Sequence, residues 1–289
     1  MAEHDIGVTV VVPTLNRGDY LYDCLCDLVA QQHRPLEILV VDQSSAVPER
    51  VQQLVDEHPD LIHYHQVTFR GLPLARNYGW QKARYDAIVY LDDDTRCPPD
   101  LVGEHVRALQ LPDVGAVAGR VNERGGAVYA SHSTGHFNYW TATPSRGFDH
   151  DGELDIDAVP GGNFSTWKRV ALAVGGIDEC LNVGAALYEE TEYSLRVKKA
   201  GYRVYYNGKA SLDHLASPTG GCRVDQVESY VWALAHNRAI LICRHLKWYQ
   251  QPVAFVELAR LGLAYGMNYR NPTAICRTFL GCVAGVRDA

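Results

Sequence analysis

Between Val8 and Ala118, apolar runs of strand length alternate with stretches whose apolar positions recur at helical spacing. Val8-Thr9-Val10-Val11-Val12 is β-branched and ends at Pro13, which reads as a buried strand. A turn-rich segment from Asn16 to Asp19 follows. Tyr20-Leu21, Cys24-Leu25 and Leu28-Val29 then share a helical face until Pro35 breaks it. Leu36 to Val41 predicts a second strand ending at Asp42, Val47, Val51, Leu54 and Val55 mark a helix, and Leu61 to Tyr64 predicts a short third strand. Pro73 opens a helix through about Arg84, because proline is tolerated in a first helical turn. A strand over Ile88 to Leu91, a helix over Leu101 to Leu109 and a strand over Val114 to Ala118 continue the rhythm. Such alternation predicts an α/β fold whose mostly parallel sheet is covered by helices on both faces.

Ile88-Val89-Tyr90-Leu91-Asp92-Asp93-Asp94 is the stretch around which the rest is organised. Its apolar run stops at three consecutive carboxylates, and Pro98-Pro99 forbid any continuation. Buried parallel strands read as continuous apolar runs, and ligands collect beyond their carboxyl ends. Three adjacent carboxylates repel one another and call for a counter-cation. The hard ions Mg²⁺ and Mn²⁺ suit them, taking oxygen ligands together with substrate phosphates. A solvated acidic turn is the plain alternative. Thr14-Leu15-Asn16-Arg17 and Asp42 fall at the same sheet edge, and together they make a polar cleft suited to a nucleotide whose phosphates sit on a metal.

Composition removes several classes. The chain has 289 residues, 47% apolar and 21% charged, enough for one large domain or two small ones. A net charge of −7 argues against a nucleic-acid partner. Eight scattered cysteines without a Cys-x-x-Cys pair read as reduced thiols of a cytoplasmic protein, not as a disulfide frame or a zinc site. Met1 to Asp5 has no signal-peptide pattern, and no run of 18 apolar residues offers a membrane span. Neither Gly-x-Gly-x-x-Gly nor a P-loop nor a Gly-x-Ser-x-Gly elbow is present, which disfavours dinucleotide dehydrogenases, P-loop NTPases and α/β-hydrolases.

Several ordered blocks carry a resemblance. Val11 to Arg17, Val40 to Ser45, Gly71 to Gly79, Leu91 to Asp94, Gly175 to Glu179, Tyr188 to Arg196, Ala200 to Arg203 and His214 resemble family 2 glycosyltransferases of the GT-A fold. The likeness covers about residues 7 to 215. It implies inverting transfer of a hexosyl or deoxyhexosyl group from a nucleoside diphosphate-sugar, UDP- or dTDP-sugar favoured. The acceptor would be the hydroxyl of a glycan, a lipid-linked molecule or a small molecule, as in cell envelope polysaccharide or glycoconjugate biosynthesis. Carried over by position, Pro13, Thr14, Asn16 and Arg17 line base and ribose, Asp42 hydrogen-bonds the base, and Arg76 belongs to the helix closing that pocket. Asp92 or Asp93 lies near the ribose. Asp94 and His214 bind Mn²⁺ or Mg²⁺, with Asp213 an alternative ligand. Gly162 and Asn163, in Gly161-Gly162-Asn163-Phe164-Ser165, resemble the segment beneath donor sugar and acceptor. Glu189-Glu190 stands where the family has Glu-Asp bearing the catalytic base, and Gln43-Ser44-Ser45 replaces its usual turn.

Helical geometry sorts the glutamates. Glu192 precedes Arg196 by four residues, a spacing that predicts a surface pair, and Glu189 shares that charged face. Glu190 lies about 100° further round, toward Ser194 and Val197, with no cation to pair it. That selects Glu190 as base and leaves Glu189 as its neighbour; a helix-dipole role is the alternative. The stretch from Asn122 to Asp157, with His132, His136, Phe137, Tyr139, Trp140 and His150, reads as loop and short strands near the sugar. Residues 1–215 form the expected catalytic domain and residues 216–289 a loop and helical extension. In the extension, arginines interleave with Trp232, Trp248, Tyr249, Tyr265 and Tyr269. Such a pattern fits peripheral contact with the inner face of the cell membrane. Packing against the catalytic domain accounts for the same stripe. A nucleotidyltransferase and a catalytically silent nucleotide-sugar-binding module are the alternative functions.

Overall fold

The computed structural model describes residues 6–124, 133–224 and 226–289. The predicted rhythm appears as β1 (Val8–Thr14), α1 (Gly18–Val29), β2 (Leu36–Asp42), α2 (Glu49–Glu57), β3 (Ile62–Gln66), α3 (Leu72–Lys82) and β4 (Ala87–Leu91). There follow β5 (Thr95–Arg96), α4 (Leu101–Leu109) and β6 (Val114–Glu123), then the small hairpin of β7 (Phe137–Asn138) and β8 (Thr143–Pro144). β9 (Glu153–Ile156), β10 (Asn163–Trp167), α5 (Lys168–Val174), α6 (Glu189–Lys199) and β11 (Arg203–His214) complete the α/β part. The main sheet runs β3-β2-β1-β4-β10-β6-β11-β5, with β9 beside β11.

Every residue of β1, β2 and β4 is buried, as their unbroken apolar runs require. β1 continues through Pro13 to Thr14 instead of stopping at the proline. Its pairing with β4 ends at Val11, so on that flank the ladder is over before a donor is missed, while pairing with β2 continues to Thr14 opposite Asp42. Parallel register thus brings Thr14, Asp42 and the carboxylates after Leu91 to one edge.

β10 interrupts the parallel order. It lies antiparallel between β4 and β6, with Asn163 opposite Leu91 and Phe164 opposite Ala118. Its sequence shows no apolar run, yet all five residues are buried. The cost of burying its polar groups is met by hydrogen bonds. Thr166 donates to the Gly115 carbonyl (2.7 Å), and His105 on α4 meets Ser165 at 2.9 Å and Asn163 Oδ1 at 2.8 Å. Burial pushes the His105 pKa down to about 4. A neutral ring satisfies both partners, donating to the Asn163 carbonyl oxygen and accepting from the Ser165 hydroxyl.

β11 runs parallel to β6, breaks register between Asn207 and Ser211, and at its end pairs antiparallel with β5, setting His214 opposite Thr95. The chain then forms α7 (Val227–His245), α8 (Gln251–Asn268) and α9 (Pro272–Asp288). A second apolar cluster joins Leu234, Ile240 and Leu241 of α7 and Leu258 of α8 to Phe137, Leu181 and Leu195 of the α/β part. α9 lies directly on the α7 backbone: a Cβ on Gly281 would fall 2.2 Å from the Trp232 carbonyl, and one on Gly285 2.2 Å from that of His236. Among the described residues, no helix is long and apolar enough to cross a membrane.

Candidate active site

The carboxyl ends of β1, β2 and β4 open onto a cavity of about 520 Å³. Pro13, Thr14, Arg17, Gln43, Gly71, Asp92, Asp93, Asp94 and His214 line it, and Pro218, the 221–224 segment and Tyr230 close it. The three consecutive carboxylates have three different environments. Asp93 is buried, accepting from the Thr14 hydroxyl (2.6 Å) and pairing with Arg17 Nη1 (2.9 Å). Burial nevertheless raises its pKa to about 6. Asp94 Oδ2 accepts from the Ser217 amide (2.8 Å) and lies 3.1 Å from Arg17 Nη1. Burial acts to raise the Asp94 pKa, but His214, Arg17 and the Ser217 N–H outweigh it and hold the value at about 2. Asp92 is the partly exposed member, 3.5 Å from Arg76 Nη2.

His214 is 120 residues away in sequence but one strand pair away in space. Its Nε2 lies 3.3 Å from Asp94 Oδ1, and its Nδ1 lies 3.0 Å from Glu123 Oε2, which fixes the ring. Burial acts to lower the His214 pKa, but Asp94 and Glu123 raise it to about 10. Asp92, Asp94 and His214 each offer one ligand atom, all within 4.8 Å of one another. Asp94 Oδ1 is buried without a hydrogen-bond partner. Among the described residues, its one neighbour of opposite charge is the His214 ring; once that ring gives up its proton, the imidazole and the carboxylates of Asp92 and Asp94 are a donor set that fits Mn²⁺ or Mg²⁺. Asp213, the neighbouring residue on β11, accepts from Asn122 Nδ2 (3.2 Å) and is not part of the trio.

A second charged centre lies beside the first. Arg76 on α3 is 1% exposed; its Nη1 pairs with Glu189 and its Nη2 donates to the Gly161 carbonyl (2.6 Å). Arg76 Nε and Glu189 Oε2 keep no hydrogen-bond partner. Glu189 is thereby committed to an internal ion pair; Glu190, half-buried, is not in the cavity lining but lies behind Gly161, close enough to feel the charge of Asp92. Burial raises the Glu190 pKa, with Arg76 and Arg146 lowering it and Asp92 raising it. A Cβ on Gly162 would lie 2.8 Å from Asp92 Oδ2, so glycine there lets the segment pass close to that carboxylate, whereas a Cβ on Gly161 would make ordinary contact, 3.8 Å from Glu190 Cδ. Tyr188, which caps α6, holds φ at 70°. From α7, Asn237 Nδ2 donates to the Leu181 and Leu187 carbonyls (3.0 and 2.9 Å), clasping both ends of the loop before Tyr188.

Other expected residues lie as follows. The Asp42 carboxylate accepts from the Ser44 amide (2.8 Å) and the Tyr64 hydroxyl (2.5 Å), and so shapes the turn after β2. Asn16 is exposed at φ 56° and its amide donates to Ser44 Oγ (2.7 Å). The Asn163 carboxamide is fully engaged, donating to the Arg120 and Ala210 carbonyls (both 2.9 Å). Glu192 differs from its expected surface pair. It is 1% exposed, binds Arg196 at 2.7 Å and meets His245 of α7 at 3.3 Å, because α7 covers that face of α6. His136 pairs with Asp157 (3.1 Å) and His150 with Thr134, both away from the cavity lining, and His132 lies outside the described residues. Sequence reasoning missed Glu123, Ser217 and Tyr230. None carries a local signal, since Glu123 arrives by strand pairing, Tyr230 by helix packing and Ser217 on the loop after β11.

Comparison with known proteins agrees with this geometry. The family described as glycosyl transferase family 2 matches residues 9–171, more than half of the chain. The pre-mycofactocin glycosyltransferase of Mycobacterium tuberculosis (strain CDC 1551 / Oshkosh) is 27% identical over 210 residues, covering 72% of this chain and 42% of that protein. The chain therefore spans about two fifths of that relative's length. An N-acetylglucosaminyltransferase of Bradyrhizobium elkanii is 30% identical over 125 residues, 40% of this chain and 66% of that one. Among solved structures, the mannosyltransferase PcManGT of Pyrobaculum calidifontis, in complex with GDP-Man and Mn²⁺, aligns with a TM-score of 0.59 at 19% identity, covering 97% of this chain and 87% of that one. GalNAc-T7 with UDP, GalNAc and Mn²⁺ aligns at 0.63 and 16% identity, covering 93% and 58%. The fold is therefore GT-A, and the chain belongs to glycosyl transferase family 2.

Proposed function

We propose that this glycosyltransferase moves a sugar, with inversion, from a nucleoside diphosphate-sugar to an acceptor hydroxyl, and that it depends on Mn²⁺ or Mg²⁺. The observation that carries the reading is the trio of Asp92, Asp94 and His214, whose ligand atoms converge inside the cavity. Asp94 and His214 hold the cation and Asp92 completes the set. Once bound, the cation supplies positive charge beside the departing diphosphate. Pro13, Thr14, Asn16 and Arg17 border base and ribose, and Asp42 sets the turn against which the base rests. Uracil or thymine is the favoured base. Gly161 and Gly162 let sugar and acceptor approach the backbone closely. Glu190 takes the acceptor's proton as its oxygen attacks the anomeric carbon and the bond to the diphosphate breaks. Arg76, through Glu189 and Gly161, holds α6 and the Gly161 segment in register.

The division at residues 215 and 216 is functional in this reading. The first part carries donor, metal and base, and the second supplies cavity wall and buttress. Thermal unfolding with Mn²⁺ and a panel of UDP-, dTDP- and GDP-sugars tests the proposal. The matching donor at 100 times its Kd should stabilise by about 2.7 kcal/mol. No stabilisation by any nucleotide-sugar would remove the reading.

A further inference from the structure

In the turn after β2, Gln43 stands where the chain departs from the family pattern. It is 7% exposed, and its backbone N–H donates to the Thr14 carbonyl (3.0 Å), tying the end of β2 to the end of β1. Its side-chain Oε1 accepts from the Gly71 amide at 2.6 Å. Gly71 caps α3 at φ 147°, a conformation that glycine alone adopts readily, so the backbone sets the direction of that N–H. Only the oxygen of a carboxamide can accept from an N–H. The Gln43 amide therefore has one orientation, with its NH₂ group turned away from Gly71.

That NH₂ group is left over. Gln43 Nε2 makes no hydrogen bond among the described residues, where the side-chain atoms sealed off without a partner belong to Arg76, Asp94 and Glu189. Nε2 is not one of these, so it opens onto space, and the space that Gln43 borders is the cavity. Its place there says what it meets. In the sheet order β2-β1-β4, the end of β2 lies two strand spacings, about 10 Å, from the aspartates after β4. The cavity runs from those aspartates past Pro13 and Leu15 to Gln43 and Leu72. A nucleotide whose phosphates sit at the trio of Asp92, Asp94 and His214 extends its nucleoside along this edge toward Gln43.

We propose that Gln43 selects the nucleobase of the donor: its fixed NH₂ group donates to a keto oxygen at C4 of a pyrimidine or C6 of a purine and rejects an amino group there. The inference rests on the donor reading above and narrows it to uracil, thymine or guanine, against cytosine and adenine. The first three carry an acceptor at that position, where the other two carry a donor. Two donors facing each other in a buried site leave both unpaired, which costs more than a missing contact. Flipping the amide is no escape, because it would set the NH₂ group against the Gly71 N–H.

Calorimetric titration of the 289-residue protein in Mn²⁺ tests it, with nucleoside diphosphates in matched pairs, UDP with CDP and GDP with ADP. In each pair that binds, the keto member should be ~10–100-fold tighter. Gln43→Glu keeps an acceptor for Gly71 and turns a second acceptor to the cavity, so the preference should reverse toward the amino member. Gln43→Ala should bind the two members nearly equally, with a ligand-free unfolding midpoint near that of the parent. Equal affinity of the parent for both members, as a contact to a ribose hydroxyl would give, overturns the inference and leaves the donor reading standing. An unchanged preference in Gln43→Glu does the same. Failure of every nucleoside diphosphate to bind the parent would overturn the donor reading itself, and this inference with it.

Discussion

Asp93, at the carboxyl end of the sheet, is 2% exposed, and a hydroxyl and a guanidinium meet its two oxygens. Phe279, on the outer face of α9, is 68% exposed, and its helix is held from the opposite side. In the first region polar groups are buried and nearly all paired, and Asp94 Oδ1, which makes no hydrogen bond of good geometry, faces His214 and Asp92. In the second, large apolar side chains are exposed on helices whose opposite faces are tightly packed. The two regions differ in which groups folding leaves over, polar ones in the first and apolar ones in the second.

Substitutions can break or sharpen that contrast. Asp94→Ala should have the largest effect, removing the ~2.7 kcal/mol of Mn²⁺-dependent stabilisation by saturating donor while the metal-free fold persists, as read by thermal shift. Next, Glu190→Gln keeps shape but cannot accept a proton, so turnover should fall by ~10²–10⁴-fold with donor affinity retained in a binding titration. The parent enzyme's pH profile should agree. The base works ionised and burial raises its pKa, so turnover should fall with decreasing pH at values above those of an ordinary glutamate. Glu123→Gln leaves the His214 ring without its carboxylate partner, and should weaken Mn²⁺ affinity by ~10–100-fold, measured by metal titration of donor binding.

Smaller effects test the frame. Asn237→Ala strands the buried Leu181 carbonyl and the partly buried Leu187 carbonyl and should cost ~1–3 kcal/mol in denaturant unfolding, with kcat falling more than donor affinity because the loop before the proposed base loosens. Gly285→Ala puts a Cβ against the His236 carbonyl and should cost about 1–3 kcal/mol. Phe279→Ser, on the opposite face of the same helix, should change stability by less than ~0.5 kcal/mol. Equal effects of these last two substitutions would show that the outer face of α9 is covered.

The sequence by itself determined the elements whose cause is local. Apolar runs fix β1, β2 and β4, periodic apolar positions fix α1 and α4, and the abrupt change from Leu91 to three aspartates places the carboxylates at a strand end. The motif blocks also pointed to the right family. Tertiary structure alone decided what depends on residues far apart in the chain. β10 is a central strand with polar residues, stable only because α4 and β6 supply His105 and Gly115 as partners. Glu192 is buried because α7 covers it, and Glu189 is neutralised by Arg76 of α3, neither of which helical spacing within α6 can reveal. The apolar stripe after Val231 was ambiguous in sequence because the spacing of one helix does not say which neighbour it meets. Packing answered by dividing it: α7 and Leu258 of α8 join the cluster against the α/β part, while other large apolar residues of α8 and α9, Met267 and Phe279 among them, stay outside.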